Sequence, residues 1–165
     1  ARLFKAVGAE VWVYDPYFPV ERAQALGLRQ VSLEILLREC LVISIHLPVT
    51  DETYHILGAR ELALVQDGAI VVNTARSWVV DQDALYQELA KERFWAALDV
   101  FDQEPLPGDH PLRRLDNVLL TPHVAGATRD SYQGLIAQAV DELERYFAGR
   151  PLQFQVTREM LDFMA

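Results

Sequence analysis

The chain has 165 residues, of which 51% are hydrophobic and 24% are charged, and its formal net charge is −9. This length suits one domain, and the composition is that of an ordinary globular protein. The acidic balance and the lack of any Lys/Arg run argue against a nucleic-acid partner, and the longest apolar stretches are too short to cross a membrane.

The first half of the chain alternates between helix and strand patterns. Apolar residues on one face predict a helix from the first residue, ended by Gly8 as a C-cap. The apolar, β-branched run over residues 10–15 predicts a strand, which Pro16 breaks. The next patterns predict a helix over residues 20–26, a short helix capped by Ser32, a strand over residues 41–47 and a helix near residues 59–64. Because residues 41–47 are apolar apart from Ser44 and His46, we expect that strand to be covered on both faces.

The second half continues the alternation. We expect strands at residues 69–73, 95–100 and 118–120, and a helix that starts at an Asp81 cap and runs to about Lys91. A long helix should start at a Thr128 cap and end at Gly149, and a short one should cover residues 158–164. Alternating strands and helices predict an α/β fold with a doubly wound parallel sheet and helices on both faces.

Four predicted strand ends carry polar residues, and ligands of doubly wound sheets bind at that edge. Asp15 can accept ribose hydroxyls, Arg76 can clamp a carboxylate, Asp99 is followed by Glu104, and His123 is held behind a proline. Each has a plainer interpretation when taken alone: a turn residue, a surface salt bridge, a solvated acidic loop and a structural histidine.

Taken together, these segments resemble the NAD-binding domain of the D-isomer-specific 2-hydroxyacid dehydrogenases, from Ala1 to about residue 150. The resemblance is carried by residues 14–16 (YDP), 44–50 (SIHLPVT), 73–76 (NTAR), 80–81 (VD), 99–105 (DVFDQEP) and 121–126 (TPHVAG). It implies a Rossmann-type NAD-binding domain over residues 1–150. Residues 151–165 would then form a segment that returns towards a separate substrate domain.

The resemblance also assigns catalytic roles. His123 corresponds to the general acid/base, Glu104 to the partner that fixes its tautomer, and Arg76 to the arginine that binds the substrate carboxylate and polarises the carbonyl. The implied reaction is hydride transfer between NAD(H) and a small 2-hydroxy or 2-keto acid. No metal site is expected.

The implied cofactor contacts lie along the same edge. Asp15 corresponds to the ribose-binding acid, which favours NAD over NADP because it would repel a 2′-phosphate. The other corresponding positions are Leu47, Pro48 and Thr53 on the adenosine side, Thr74 and Ala75 beside Arg76, and Asp99, His123 and Gly126 near the nicotinamide.

Two departures from the family pattern stand out. Ser77 and the bulky Trp78 follow Arg76, where the family usually has Gly, and we hypothesise that they either narrow the substrate pocket or are shared with a partner subunit. The glycine-rich phosphate loop, the strand before it and the substrate domain are not in the sequence, so we expect the isolated chain to be inactive and to bind NAD weakly or not at all.

Two alternatives to an enzyme remain open: an NAD-responsive, corepressor-like binding protein and a non-catalytic fragment that only dimerises. The resemblance implies a homodimer formed through this domain. Cys40 is the single cysteine, which suits a reducing compartment, so we expect a cytoplasmic protein. The sequence does not identify the 2-hydroxy acid.

Overall fold

Helices alternate with parallel strands in the computed structural model, which describes residues 1–126 and 128–163. The helices are α1 (Arg2–Ala6), α2 (Val20–Ala25), α3 (Leu33–Glu39), α4 (Ala59–Leu62), α5 (Gln82–Leu89) and α6 (Arg129–Phe147). The strands are β1 (Trp12–Val13), β2 (Arg29–Gln30), β3 (Val42–Ile45), β4 (Ile70–Asn73), β5 (Trp95–Leu98) and β6 (Val118–Leu120). Short 3₁₀ helices cover Ser77–Val79, Pro111–Arg114 and Arg158–Phe163. The predicted α/β class is therefore confirmed.

All strand pairs are parallel, and they form two sheets. One sheet pairs β1 with β2, and the other has the order β3-β4-β5-β6. In the larger sheet the last residues of neighbouring strands are aligned, with Ile45 opposite Asn73, Asn73 opposite Leu98, and Leu98 opposite Leu120. The segments that follow β3, β4, β5 and β6 therefore begin at one edge of this sheet.

The core lies on one face of the larger sheet, where side chains of α3, α4 and α5 pack against alternate strand residues. The opposite face is open, since Val42, Ile70, Trp95 and Leu119 are between 41% and 65% exposed. The expectation that residues 41–47 form a strand covered on both faces is therefore wrong. The physical reason is that α6, whose apolar stripe could cover a sheet face, contributes no buried residue.

The predicted helix starts are confirmed by their capping bonds. The side chains of Ser32, Asp81 and Thr128 accept hydrogen bonds from the backbone N–H three residues later, which satisfies donors that a helix start leaves free. Gly8 follows α1 with φ of +89°, a conformation that glycine adopts without a steric penalty. The strand predicted over residues 10–15 is reduced to Trp12–Val13. Met164, the last residue of the predicted C-terminal helix, lies outside the described residues.

Within residues 1–126 and 128–163, no helix combines the length and the hydrophobicity needed to cross a bilayer. Over the same residues, no group of three or more His, Cys, Asp and Glu side chains is arranged to hold a metal ion.

Candidate active site

Asp99 lies at the centre of the sheet edge and is 2% exposed. It directly follows β5, and its carboxylate accepts hydrogen bonds from the Thr121 hydroxyl and from the backbone N–H groups of Val124 and Ala125, the latter two at 2.9 Å. Burial alone would raise the pKa of this carboxyl, but the hydrogen bonds outweigh burial and the pKa lies below its usual value. Asp99 therefore anchors the loop after β6 as a buried, ionised group.

His123 lies within this anchored loop and has an unusual backbone conformation. Its φ is 54°, in the left-handed region that residues with a side chain rarely adopt, and its N–H donates to the Thr121 carbonyl at 3.0 Å. Such a conformation costs on the order of 1–3 kcal/mol and persists only where surrounding contacts fix it. The three bonds to Asp99 lie on either side of His123 along the chain, so they fix the direction of its side chain.

Glu104 contacts His123 directly. Its Oε2 lies 2.7 Å from Nδ1 of His123, and its Oε1 accepts the backbone N–H of Phe101 at 3.0 Å. The His123 bond, followed by the Phe101 bond, holds the pKa of the Glu104 carboxyl below its usual value. An ionised Glu104 accepts a hydrogen bond from Nδ1, so Nδ1 carries a proton. Nε2 of the half-exposed ring is then available to exchange a proton with a substrate.

Asn73 holds the turn that presents Arg76. The buried Asn73 amide accepts the N–H of Ala75 at 3.1 Å and donates to the carbonyl of Arg76 at 2.9 Å. The backbone carbonyl of Asn73 also accepts the N–H of Asp99 at 3.0 Å, which joins this turn to the Asp99 segment. Arg76 itself is exposed, and its Nη1 donates to the Ala75 carbonyl at 2.8 Å. Its guanidinium is therefore open to an incoming carboxylate.

The predicted adenosine-side residues lie on two other loops. Thr53 closes the loop after β3, since its hydroxyl donates to the Pro48 carbonyl at 2.6 Å and accepts the N–H of Thr50 at 2.7 Å. Asp15 lies beyond β1, where its Oδ1 accepts the N–H of Tyr17 at 2.9 Å. These loops meet through the Tyr17 hydroxyl, which donates to Glu52 Oε2 at 2.5 Å.

The two residues that depart from the family pattern differ in environment. Ser77 is half-buried, and its hydroxyl lowers the pKa of the Asp102 carboxyl, although burial has the larger effect and raises that pKa. Trp78 is 51% exposed. Ser77 thus acts on the segment before Glu104, whereas Trp78 faces solvent in this chain.

The structure brings Glu104 and His123 into contact and connects both to Asp99 and to the Arg76 turn. The remaining predicted positions also follow strands: Leu47 and Pro48 are half-buried, and Thr74 and Gly126 are exposed. Sequence reasoning assigned no role to the Asn73 amide, the Thr121 hydroxyl, Tyr17 or Glu52. The role of the Asn73 amide could have been predicted, because an Asn at a strand end before a turn commonly hydrogen-bonds the backbone that follows it.

The chain is similar to a family of known proteins. Residues 1–125 match the family model described as D-isomer specific 2-hydroxyacid dehydrogenase, NAD binding domain. A glyoxylate reductase from Aeropyrum pernix is 41% identical over 164 residues, which is 98% of this chain and 48% of that protein. A D-3-phosphoglycerate dehydrogenase from Archaeoglobus fulgidus is 38% identical over 154 residues, which is 93% of this chain and 29% of that protein.

A solved structure shows the same fold. D-lactate dehydrogenase with NAD⁺ from Lactobacillus jensenii superposes with a TM-score of 0.83 at 29% identity, over 96% of this chain and 51% of that one. The chain thus spans about half or less of the length of these relatives. Since the family model covers most of the chain and the fold agrees, the chain belongs to the D-isomer specific 2-hydroxyacid dehydrogenase family, through the family's NAD-binding domain.

Proposed function

We propose that the protein carrying this chain is an oxidoreductase that transfers a hydride between NAD(H) and a small D-2-hydroxy or 2-keto acid. The observation that carries the proposal is the 2.7 Å contact between Glu104 and His123 at the strand edge that also presents Arg76. An acid/base histidine with a fixed tautomer and an exposed guanidinium are the groups that a carboxylate-bearing carbonyl substrate requires.

The proposed roles follow from the contacts of each residue. Arg76 binds the substrate carboxylate with its guanidinium fork. His123 donates a proton from Nε2 to the carbonyl oxygen during reduction and takes it back during oxidation. Glu104 stabilises the protonated ring through Nδ1. When bound at this strand edge, NAD would supply or accept the hydride at the carbonyl carbon.

The described residues suit part of the cofactor. Asp15 offers a carboxylate beyond β1, where ribose hydroxyls can donate to it, and the loop closed by Thr53 is tied to the Asp15 loop. Asp99 remains the proposed neighbour of the nicotinamide, although three of its hydrogen bonds already go to the loop after β6. The sequence contains no glycine-rich phosphate loop. We therefore expect the 165-residue chain alone to bind NAD weakly or not at all and to be inactive.

The test uses the product of the complete reading frame that encodes this chain. NADH oxidation is followed at 340 nm with glyoxylate, hydroxypyruvate, pyruvate and a phosphorylated 2-keto acid as substrates. Turnover of one or more of these, lost in His123→Ala, supports the proposal. NADH binding without any turnover would instead favour the corepressor-like alternative.

We further propose that the chain pairs with a second copy of itself, in the cytoplasm. The support for pairing is the apolar surface: α6 exposes Leu135, Ile136, Val140, Leu143 and Phe147. Surfaces of this kind are usually covered in a stable protein. Light scattering after size exclusion should give the mass of a dimer for the wild type and of a monomer for Ile136→Asp. The matched control Gln138→Asp changes the charge of the same helix equally and should remain dimeric. A monomeric wild type at every concentration would contradict the pairing.

A further inference from the structure

Tyr17 connects two carboxylates on the proposed adenosine side. Its backbone N–H donates to Asp15 Oδ1 at 2.9 Å, and its hydroxyl donates to Glu52 Oε2 at 2.5 Å. Asp15 belongs to the loop after β1, while Glu52 belongs to the loop after β3. Tyr17 therefore contacts both the proposed ribose-binding acid, through its backbone, and a second acidic residue, through its hydroxyl, although the two acids are 37 positions apart in the sequence.

We propose that Glu52 is a second selectivity residue of the nucleotide site, held near Asp15 by Tyr17, and that it disfavours a 2′-phosphate on the adenosine ribose. The inference rests on the proposed NAD-binding function. A ribose hydroxyl can donate to a carboxylate, whereas the dianionic form of a 2′-phosphate has no proton to donate and is repelled by the carboxylate charge.

The electrostatic surroundings of Tyr17 support this placement. The pKa of the Tyr17 hydroxyl is raised, and the hydrogen bond to Glu52 is the largest cause. The charges of Glu52 and Asp15 raise this pKa further. Both carboxylates therefore act on the same hydroxyl. Two basic residues of this region are engaged elsewhere: Arg22 lies over the Phe18 ring, and Arg29 lies over the Trp12 ring and near Glu10.

Two nucleotide fragments test the inference on the product of the complete reading frame that encodes this chain. Adenosine 5′-monophosphate and adenosine 2′,5′-bisphosphate are titrated into ¹⁵N-labelled protein, and the shifts of the Asp15 and Thr53 amides give a Kd for each. The selectivity is the ratio of the bisphosphate Kd to the monophosphate Kd. Glu52→Gln removes the charge but keeps an oxygen that can accept the hydrogen bond from the Tyr17 hydroxyl. We expect this variant to lower the ratio about three- to tenfold at low salt.

The remaining variants separate the inference from the function on which it rests. Tyr17→Phe releases Glu52 and should lower the ratio by less than Glu52→Gln, while Glu144→Gln on α6 removes the same charge and should leave the ratio unchanged. A ratio in Glu52→Gln equal to that of the wild type, with a lowered ratio in Asp15→Asn, would overturn the inference and leave the nucleotide site standing. If 5′-monophosphate shifts neither amide in the wild type, the nucleotide site itself is overturned, and the inference with it.

Discussion

Nδ1 of His123 lies 2.7 Å from Oε2 of Glu104, while Oε1 of the same carboxylate accepts the N–H of Phe101 at 3.0 Å. Glu104 is thus fixed at one oxygen by the backbone and binds the imidazole with the other. The histidine ring is held in turn by a loop that Asp99 anchors on either side of it. The acid/base group of the proposed reaction is therefore oriented by two carboxylates with different tasks.

Replacing Glu104 by Gln should lower kcat for keto-acid reduction by about 10–100-fold, because a neutral amide stabilises the protonated ring less well. In the wild type the pKa of Glu104 is lowered, so its ionised form persists below the usual value of 4.5 and is lost only as the pH falls further. The fall in activity that this protonation causes should be absent in the variant, which has no carboxyl at this position. Rates measured between about pH 3 and 8 check both points. Glu39→Gln, at the end of α3, is the control, and an unchanged pH profile in Glu104→Gln would contradict the assigned role.

Replacing Asp99 by Asn should reduce the free energy of unfolding by about 2–3 kcal/mol at pH 7, since a buried charged acceptor is lost and the new amide N–H₂ faces backbone donors. The lowered pKa of Asp99 means that its contribution is present above the ordinary value of 3.8 and is lost as the pH falls through the lowered value. Urea unfolding at pH 7 and near pH 3 should therefore show a difference that shrinks on acidification. An equal difference at both pH values would count against an ionised Asp99.

The local signals in the sequence predicted much of the fold. The caps at Ser32, Asp81 and Thr128 and the strand Val118–Leu120 lie where the sequence patterns indicate, because each depends on neighbours a few positions away. The strand over residues 41–47 was wrongly expected to be covered on both faces. The hydrophobicity of this strand shows only that it could be buried. Whether both of its faces are covered depends on where a distant helix such as α6 lies.

In the candidate site, too, local motifs predicted some residues, whereas contacts between distant segments could not be predicted. Glu104 and His123 were identified from the motifs that contain them, and their contact spans 19 positions. The bond between Tyr17 and Glu52 spans 35 positions and connects two loops, so no local pattern indicates it. Likewise, the positive φ of His123 lies in a loop held by bonds to Asp99, which is 24 positions away, so no local pattern indicates it.

Arg76→Lys should raise the KM for the keto acid by about 10–100-fold, with a smaller change in the Kd of NADH. A lysine keeps the charge but cannot bind both oxygens of a carboxylate with a rigid fork. Steady-state kinetics with the best substrate of the panel give the KM, and NADH fluorescence gives the Kd. If KM is unaffected, another residue binds the carboxylate.

Asn73→Ala should act on substrate binding without touching the substrate. The variant leaves the Ala75 N–H and the Arg76 carbonyl without their side-chain partner, which should lower the free energy of unfolding by about 1–3 kcal/mol. It should also raise KM, because the turn that presents Arg76 loosens, while the pH dependence set by His123 and Glu104 stays the same. A changed pH profile with an unchanged KM would contradict the assignment of Asn73 to substrate binding through the Arg76 turn.

The most direct test of the account is single-turnover reduction of a keto acid by the complete gene product and by its His123→Ala variant, each preloaded with NADH. We expect the variant to retain NADH binding but to reduce the substrate at least about 100-fold more slowly than the wild type. A variant that reduces the substrate at the wild-type rate would contradict the assignment of His123 as the acid/base group, and with it the proposed mechanism.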